Sequence, residues 1–321
     1  MSLVPADKEK IAVVGAGFMG PGIGQVFAAC GHSVHIYNRS PERLKSVHER
    51  VRCNLSQMAD YGLADADQIP AILDRIALTT DIAEACDGAS LVIESIPESP
   101  ELKQMLFAEL DRICAPDVCL CSNTSVISIR KIGALTAHPE RVLGTHFYQP
   151  PFLVPLVEVV RTEVTNLQLM DRVFNILRDA GKVPIYVRKD VPGFVANRMQ
   201  HALWREAFAL IDNGVCDAET VDIAVSNSFG MRLPVLGPVA NADFVGLDLT
   251  LAIHNNVLQH LDVSTQPSAT LRGHVEAGEL GFKTGSGFLR WDDQSIAETR
   301  NNLTQYLLEF LSKSKNNVSR G

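Results

Sequence analysis

The chain has 321 residues, 46% of them hydrophobic, and a formal net charge of −8, with a mean hydropathy of +0.07. These values predict about two globular domains with full apolar cores. The negative charge argues against a nucleic-acid or anionic-membrane partner. The first residues lack the apolar core of a signal peptide, and no apolar run reaches the roughly 18 residues of a membrane span. The seven cysteines have no metal-ligand spacing, so we expect a cytoplasmic protein without a metal site.

A dinucleotide-binding unit is predicted at the start of the chain. A short apolar strand over residues 10–14 runs into the stretch G-A-G-F-M-G, a helical pattern follows to about residue 29, and a second strand is predicted over 33–37. A G-x-G-x-x-G motif between a strand and a helix is typical of dinucleotide binding, because its glycines allow a tight turn and close approach of the pyrophosphate. The expected cofactor contacts in this motif are Gly15, Gly17, Phe18, Met19 and Gly20.

The end of the second strand bears on the choice between NAD and NADP. NAD sites usually carry Asp or Glu there, bonded to the ribose 2′-hydroxyl, whereas this chain has Asn38-Arg39-Ser40. Asn38 has no charge to repel a 2′-phosphate, Arg39 can pair with that phosphate, and Ser40 can donate a hydrogen bond to it. These residues favour NADP(H), and a solvated turn without a cofactor role is the alternative.

The remaining pattern predicts a doubly wound α/β domain followed by helices. Further strands are predicted over 76–79, 90–94, 118–121, 156–160 and 183–187. Helices are predicted over 42–62, 66–75, 81–86, 102–113, 167–180, 194–211, 221–226, 246–261 and 268–277. We therefore expect a dinucleotide-binding domain over 1–190 and a helical substrate and dimerisation domain over 191–321. Its helices are apolar on more than one face, which favours a homodimer, and the polar residues after about 311 are expected to be frayed.

Two more strand ends carry polar residues, where a doubly wound sheet places its ligands. Glu98 and Lys103 follow the predicted strand 90–94, within reach of the nicotinamide half of a cofactor, although both residue types are also ordinary at a helix start. The turn S-N-T-S over 122–125 follows the next strand. Its four small polar residues suit the holding of a substrate oxygen beside the nicotinamide, and they equally suit a helix N-cap. Within the turn, Asn123 is an expected cofactor contact and Ser125 an expected substrate contact.

The segment over 144–160, G-T-H-F-Y-Q-P-P-F-L-V-P-L-V-E-V-V, is the predicted centre of the chemistry. It ends in a short buried strand whose one polar residue is Glu158. A buried carboxylate costs several kcal/mol unless it is paired, and the imidazole of His146 would pair with it. His146 would then accept a proton from a substrate hydroxyl while Glu158 orients the ring. A core histidine and a surface glutamate are the alternative interpretation.

Together these motifs resemble the L-3-hydroxyacyl-CoA dehydrogenase family, which includes 3-hydroxybutyryl-CoA dehydrogenases, L-gulonate 3-dehydrogenase and lambda-crystallin. The resemblance covers about residues 10–291. The matching stretches are V-V-G-A-G-F-M-G, S-N-T-S, H-F-Y-Q-P-P, L-V-E-V-V, D-V-P-G-F-V-A-N-R, G-P-V-A-N-A-D-F-V-G-L-D and G-F-K-T-G-S-G-F. It implies a Rossmann-type domain, a helical domain, and hydride transfer between a nicotinamide and C3 of a small L-3-hydroxy acid or its CoA thioester. The implied roles are general base for His146, its orientation for Glu158, the substrate oxygen for Ser125 and Asn197, and cofactor contacts for Glu98 and Lys103.

The chain departs from that family in places that bear on its ligands. The family usually has Asp where Asn38 stands and Asn where Gln149 stands. Acyl-CoA members carry a lysine-rich stretch after the second strand, whereas residues 54–61, N-L-S-Q-M-A-D-Y, contain no lysine. The stretch G-M-R resembles the gulonate branch, and its Arg232 could clamp a free carboxylate bidentately, although G-P-V-A-N-A-D-F-V-G-L-D resembles the acyl-CoA branch.

These residues favour a free L-3-hydroxy acid as substrate. Two alternatives stay open: a true short-chain L-3-hydroxyacyl-CoA dehydrogenase, and a non-catalytic, crystallin-like binding or structural protein.

Overall fold

The computed structural model describes residues 8–318, and their side chains to residue 314. Its strands are β1 (Lys10–Val14), β2 (Ser33–Tyr37), β3 (Ile76–Thr79), β4 (Leu91–Glu94), β5 (Cys119–Ser122), β6 (Val142–Phe147), β7 (Leu156–Val160) and β8 (Val183–Val187). They form one sheet in the order β3-β2-β1-β4-β5-β6-β7-β8. Neighbouring strands are parallel except β6 and β7, which are antiparallel. The predicted doubly wound, Rossmann-type sheet is confirmed.

Helices flank the sheet and make up the chain after β8. They are α1 (Gly20–Ala29), α2 (Pro41–Leu44), α3 (Val47–Asp60), α4 (Ile69–Asp74), α5 (Ile82–Cys86), α6 (Pro100–Ile113), α7 (Ile129–Ile132), α8 (Leu167–Asp179), α9 (Ala196–Asp212), α10 (Ala218–Ser226), α11 (Pro238–Val245), α12 (Leu247–Val257), α13 (Ala269–Glu276) and α14 (Asp293–Val318). The predicted helical C-terminal part is confirmed. Within the described residues, none of these helices is both long and apolar enough to cross a membrane.

The chain divides into two compact units. One contains the described residues up to Asn197 together with those from Leu303 to Val318, and the other is Arg198–Asn302. The sheet lies in the first unit, so the glycine turn, His146 and Glu158 all belong to it. The second unit contains α10 to α13.

The central strands are buried on both faces, as is usual in a parallel sheet covered by helices. Alternate side chains of a strand point to opposite faces. In β1, Ile11 and Val13 join the core that includes residues of α1 and α8. Ala12 and Val14 join the core on the other face, which includes residues of α6 and α7. Each fully buried Ile or Val contributes about 1.5–3 kcal/mol, so these two cores hold the carboxyl ends of the strands in place.

The structure corrects several predicted helix bounds. The single helix expected over 42–62 is two helices, because the chain restarts at Ser46, whose carbonyl accepts the Arg50 N–H. The helix expected from residue 66 begins with a 3₁₀ turn, and α4 starts at Ile69 with a proline in its first turn. The expectation that residues after about 311 are frayed is wrong up to Val318, because α14 continues to that residue; the part of the prediction that concerns 319–321 lies outside the described residues.

The start of α9 also differs from its prediction. A helix was expected from residue 194, but Phe194 has a left-handed backbone with φ of +49°, and Gly193 has φ of +76°. Such dihedrals lie outside a right-handed helix. The helix therefore begins at Ala196, and Gly193 and Phe194 belong to a tight turn ahead of it.

The proline-rich loop between β6 and β7 is fastened by a buried lysine. The Lys182 ammonium donates to the carbonyl of Pro151, and to that of Val154 at 3.0 Å. Burial lowers the pKa of Lys182 to about 8. The same loop presses on α1, since a Cβ added at Gly22 would lie 2.7 Å from Cγ of Pro151. The loop thus ties the end of β6 to the helix that follows the glycine turn.

Candidate active site

A cavity of about 670 Å³ opens at the carboxyl ends of β1, β4 and β5. This is the point where the strand order reverses, the usual ligand position in a doubly wound sheet, and the volume is typical of a small-molecule site. The predicted cofactor contacts that line it are Gly15, Gly17, Phe18, Met19, Asn38, Arg39, Ser40, Glu98 and Asn123. Ser125 lines it as well, whereas Gly20 and Lys103 are not among its lining residues.

The glycine turn has the shape and the free donors that a pyrophosphate needs. Gly15 has φ of +119°, and an added Cβ would lie 2.5 Å from the Ser95 carbonyl oxygen. At Gly17, in contrast, an added Cβ would have no neighbour within 4 Å, so this side of the turn is open. Among the described residues, the N–H groups of Phe18 and Met19 have no hydrogen-bond partner. Free N–H groups ahead of α1 suit an anion, and the residues present therefore fit a dinucleotide.

The ribose end of the cavity carries positive charge. Asn38 braces the glycine turn, since its Oδ1 accepts the Ala16 N–H at 3.2 Å and its Nδ2 donates to the Ser40 carbonyl at 3.1 Å. Arg39 and Arg43 both line the cavity, and no acid of the described chain lies within ion-pair distance of either guanidinium. Arg43 was not among the predicted contacts, although its position four residues after Arg39, at a helix start, was a usable signal.

Glu98 organises the turn that follows β5. Its Oε1 accepts the N–H groups of Ser125 at 3.0 Å and Val126 at 3.2 Å, together with the Thr124 hydroxyl. The Lys103 ammonium lies 3.3 Å from its other oxygen. Burial opposes ionisation of this carboxyl, but these hydrogen bonds and the ammonium hold its pKa below the ordinary value. Glu98 is therefore a charged acceptor that shapes the wall of the cavity.

The turn over 122–125 is not a helix cap. The next helix, α7, is capped by Ser128, whose hydroxyl accepts the Lys131 N–H at 3.4 Å, so the capping interpretation of the S-N-T-S turn is wrong. Instead, Oδ1 of Asn123 accepts the Phe147 N–H at 2.8 Å. That bond joins the wall of the cavity to the end of the strand that carries the histidine.

Below the cavity lies a buried ion pair that the sequence analysis missed. The Lys103 ammonium is 2.6 Å from Oε1 of Glu94, and both side chains are almost completely buried. The other Glu94 oxygen accepts the Ser122 hydroxyl at 2.6 Å. Burial raises the pKa of Glu94, and the neighbouring ammonium offsets part of that rise. Lys103 thus lies beneath the cavity wall and pairs with Glu94 there. The sequence signal for Glu94 was a lone acid at the end of the buried strand S-L-V-I-E.

His146 and Glu158 meet across the antiparallel strands β6 and β7. The two residues are register partners, so their side chains lie on the same face of the sheet. Nδ1 of His146 is 2.8 Å from Oε2 of Glu158, and both side chains are buried. A carboxylate can only accept, so Nδ1 carries the hydrogen of this contact; in the neutral imidazole, Nε2 is then the nitrogen with the lone pair.

Three further donors hold the Glu158 carboxylate, and the sequence analysis missed all of them. The Tyr148 hydroxyl donates to Oε2 at 3.0 Å. The backbone N–H groups of Val195 and Ala196 donate to Oε1 at 2.9 and 3.0 Å. Burial opposes ionisation, but the imidazole and the two N–H groups hold the pKa of Glu158 below its ordinary value. Glu158 is therefore an ionised acceptor at the start of α9, where the helix dipole also favours a negative charge.

Asn197 and Ser125 are brought side by side. Nδ2 of Asn197 donates to the backbone carbonyl of Ser125 at 3.2 Å. Asn197 follows Ala196, which binds Glu158, and Ser125 is held by Glu98. The four residues proposed for catalysis therefore belong to one connected set of contacts.

Arg232 belongs to the second compact unit, where it lies on the 3₁₀ turn Gly230–Arg232. Its side chain is exposed, and no acid of the described residues pairs with it. Across residues 8–318, which the structure describes, no group of three or more His, Cys, Asp and Glu side chains could hold a metal ion.

Comparison with known proteins places the chain in a family. The model "3-hydroxyacyl-CoA dehydrogenase, NAD binding domain" matches residues 10–191, and "3-hydroxyacyl-CoA dehydrogenase, C-terminal domain" matches residues 193–291. A probable 3-hydroxybutyryl-CoA dehydrogenase of Bacillus subtilis is 36% identical over 288 residues, which cover 89% of this chain and 99% of the relative.

Two further matches concern a different substrate. The 5-formyl-3-hydroxy-2-methylpyridine 4-carboxylate 5-dehydrogenase of Mesorhizobium japonicum is 34% identical over 280 residues, which cover 87% of this chain and 89% of the relative. A crystal structure of a dehydrogenase for that compound, described as an NAD⁺ dependent dismutase, has a TM-score of 0.87 and 30% identity. The match covers 94% of this chain and 96% of that one.

We predict that Lys103→Met lowers the free energy of unfolding by about 3–5 kcal/mol at neutral pH, because Glu94 would be left buried and unpaired. A carboxyl whose pKa is raised by folding favours the folded state below its unfolded pKa and loses that contribution as pH rises. The difference in the free energy of unfolding between wild type and Lys103→Met should therefore be smaller at low pH. Urea denaturation of both proteins at about pH 5 and about pH 7.5 would measure it. Adding Glu94→Gln should recover most of the stability; an equal deficit in the double variant would contradict the pairing.

Proposed function

Because the chain belongs to the 3-hydroxyacyl-CoA dehydrogenase family, we propose that it transfers a hydride between a nicotinamide and C3 of an L-3-hydroxy acid, with His146 as the general base. The observation that carries this proposal is the 2.8 Å contact between His146 Nδ1 and the Glu158 carboxylate. A structural or crystallin-like role would not need a buried base whose orientation is set by an ionised acid.

The chain's own residues handle the proton. With Nδ1–H donated to Glu158, Nε2 of His146 is available to accept the proton of the substrate hydroxyl. The Glu158 carboxylate then stabilises the imidazolium, and its other donors keep it in place. Ser125 and Asn197 hold the substrate oxygen. A bound nicotinamide supplies the hydride acceptor in one direction and the hydride in the other.

The cofactor is held by the glycine turn and by the wall of the cavity, and we propose a preference for NADP(H). Free N–H groups of Phe18 and Met19 suit the pyrophosphate. Arg39 and Arg43 provide two unpaired guanidinium groups at the ribose end, while Asn38 has its Oδ1 engaged by Ala16. No carboxylate lines that end of the cavity within the described residues, so nothing there would repel a 2′-phosphate. Glu98, at the nicotinamide end, and Asn123 complete the proposed set.

For the substrate we propose a small free carboxylic acid rather than a CoA thioester. Acyl-CoA members of the family use lysines after the second strand, and the corresponding helix here has none. The two arginines of that helix already have partners within the chain. Arg50 donates to backbone carbonyls, and Nε of Arg52 lies 3.6 Å from Oε2 of Glu49. The exposed Arg232 is available to pair with a carboxylate. The Mesorhizobium relative is named for a pyridine carboxylate, while the Bacillus relative, named for a CoA thioester, supports the alternative.

We further propose that residues 191–321 form the substrate and dimerisation domain and that the protein is a homodimer. Large apolar side chains of the second unit are between 62% and 86% exposed, namely Val235, Val239, Phe244, Leu247 and Leu251. Exposed apolar surface of this kind marks a contact with another molecule. A second copy of the chain would cover it with an isologous interface.

Replacing the base tests the mechanism. His146→Gln should reduce kcat by about 10²–10⁴-fold, because general-base catalysis contributes that much, while the Kd for the reduced cofactor stays within about twofold. Nicotinamide absorbance measures the rate and nicotinamide fluorescence the binding. The matched control is His138→Gln, an exposed histidine of the same unit. Retention of more than about a tenth of the wild-type kcat/KM would sink the assignment.

Titration of NADPH and NADH tests the cofactor preference. A charge-assisted hydrogen bond contributes about 1.5–3 kcal/mol, so NADPH should bind roughly 10- to 150-fold more tightly than NADH. Arg39→Ala should weaken NADPH binding and leave NADH binding nearly unchanged, whereas the exposed Arg112→Ala should change neither. Equal or tighter binding of NADH by the wild type would refute the preference.

The role of Arg232 decides between the two substrate classes. For a free acid, Arg232→Leu should raise KM by about tenfold or more, since a hydrogen bond between charged groups contributes about 1.5–3 kcal/mol. Arg232→Lys should recover part of that loss, because a point charge cannot reproduce the fork of a guanidinium. The check is a panel of short 3-hydroxy acids and 3-hydroxyacyl-CoAs. Competitive inhibition by micromolar free CoA, with KM unaffected in both variants, would establish the thioester instead.

A further inference from the structure

Arg50 grips the glycine turn from behind. Its two terminal nitrogens donate to the carbonyl oxygens of Gly17 and Phe18, each at 2.9 Å. The two carbonyls belong to consecutive peptides in the middle of G-x-G-x-x-G. A fork of two donors on one rigid plane suits this pair of acceptors, which a single ammonium could not engage equally.

Peptide geometry links this grip to the cavity. In a trans peptide the C=O of one residue and the N–H of the next point in opposite directions. The carbonyls of Gly17 and Phe18 point at Arg50, so the N–H groups of Phe18 and Met19 point away from it. Gly17, Phe18 and Met19 all line the cavity, and among the described residues neither of those N–H groups has a partner. Arg50 therefore orients two free donors.

The guanidinium of Arg50 belongs to a helix that is anchored in the core. Arg50 lies on α3, whose Val47, Val51 and Leu55 are buried in the core. On the opposite strand end, Asn38 takes up the Ala16 N–H. The turn is thus held at three peptides by two side chains from outside it, before any ligand is present.

We propose that Arg50 is a positioning residue for the cofactor: it holds the peptides of Gly17 and Phe18 so that the next two N–H groups receive the pyrophosphate. This role rests on the proposed dinucleotide binding and explains how the turn keeps its geometry without a ligand. Because pre-organised donors lose no freedom on binding, their affinity for the anion is higher. Releasing the two carbonyls would let the peptides rotate and present carbonyl oxygens to the phosphates.

The test compares two arginines on one helix. Arg50→Met removes both donors and keeps an unbranched side chain, and Arg52→Met makes the same change at an exposed position. NADPH and NADH are titrated by nicotinamide fluorescence, and ADP and adenosine by displacement, because only ADP carries the two phosphates. Arg50→Met should weaken NADPH, NADH and ADP by about tenfold or more, corresponding to two lost hydrogen bonds. Adenosine should be affected by less than about twofold.

Two more measurements separate positioning from a general structural role. Arg50→Lys should recover part of the ADP affinity, because an ammonium can reach one of the two carbonyls. At saturating cofactor, kcat of Arg50→Met should stay within about twofold of wild type, so that the change falls on the cofactor KM. Equal ADP affinity in Arg50→Met and Arg52→Met would overturn the proposal, as would an equal loss for ADP and adenosine. If the wild type bound no dinucleotide, the proposed function would fail as well.

Discussion

The orientation of the His146 imidazole depends on one buried carboxylate. Glu158 accepts four hydrogen bonds, from an imidazole, a phenol and two backbone N–H groups. An ionised carboxylate without such partners would cost several kcal/mol in this position. The bonds also set the strand register, because a slip of one residue between β6 and β7 would move His146 to the other face of the sheet. The left-handed turn before α9 leads into the two N–H groups that bind this carboxylate.

The same device recurs at the neighbouring strand ends. Glu94 is the last residue of β4, and Glu98 follows that strand. Glu94 accepts a hydrogen bond from Ser122 at the end of β5, and Glu98 accepts hydrogen bonds from the turn 123–126. Lys103 lies between the two carboxylates and offsets their charge. Since Asn123 also accepts a hydrogen bond from the strand that carries His146, the cavity wall and the His146 imidazole are held as one framework.

Membership of the family indicates the general class of reaction, whereas individual residues of this chain bear on the cofactor and the substrate. Membership of the 3-hydroxyacyl-CoA dehydrogenase family rests on two matches that together span residues 10–291. The proposed preference for NADP(H) and for a free acid rests on other features: two arginines that line the cavity, α3 without lysine, and Arg232. One scaffold can serve several substrates when such positions differ and the fold is kept.

The sequence by itself determined the fold class, the glycine turn at the end of β1, and the identity of His146 and Glu158, because each follows from a local pattern: strand hydrophobicity, glycine spacing, and a lone acid in a buried strand. Only the tertiary structure decided what those residues touch. Arg50 is 33 positions from Gly17, and Val195 is 37 from Glu158. No local pattern specifies contacts over such distances, since they depend on how helices pack on the sheet. The burial of Lys103 and the start of α9 also depend on this packing, and local helix propensity does not predict it.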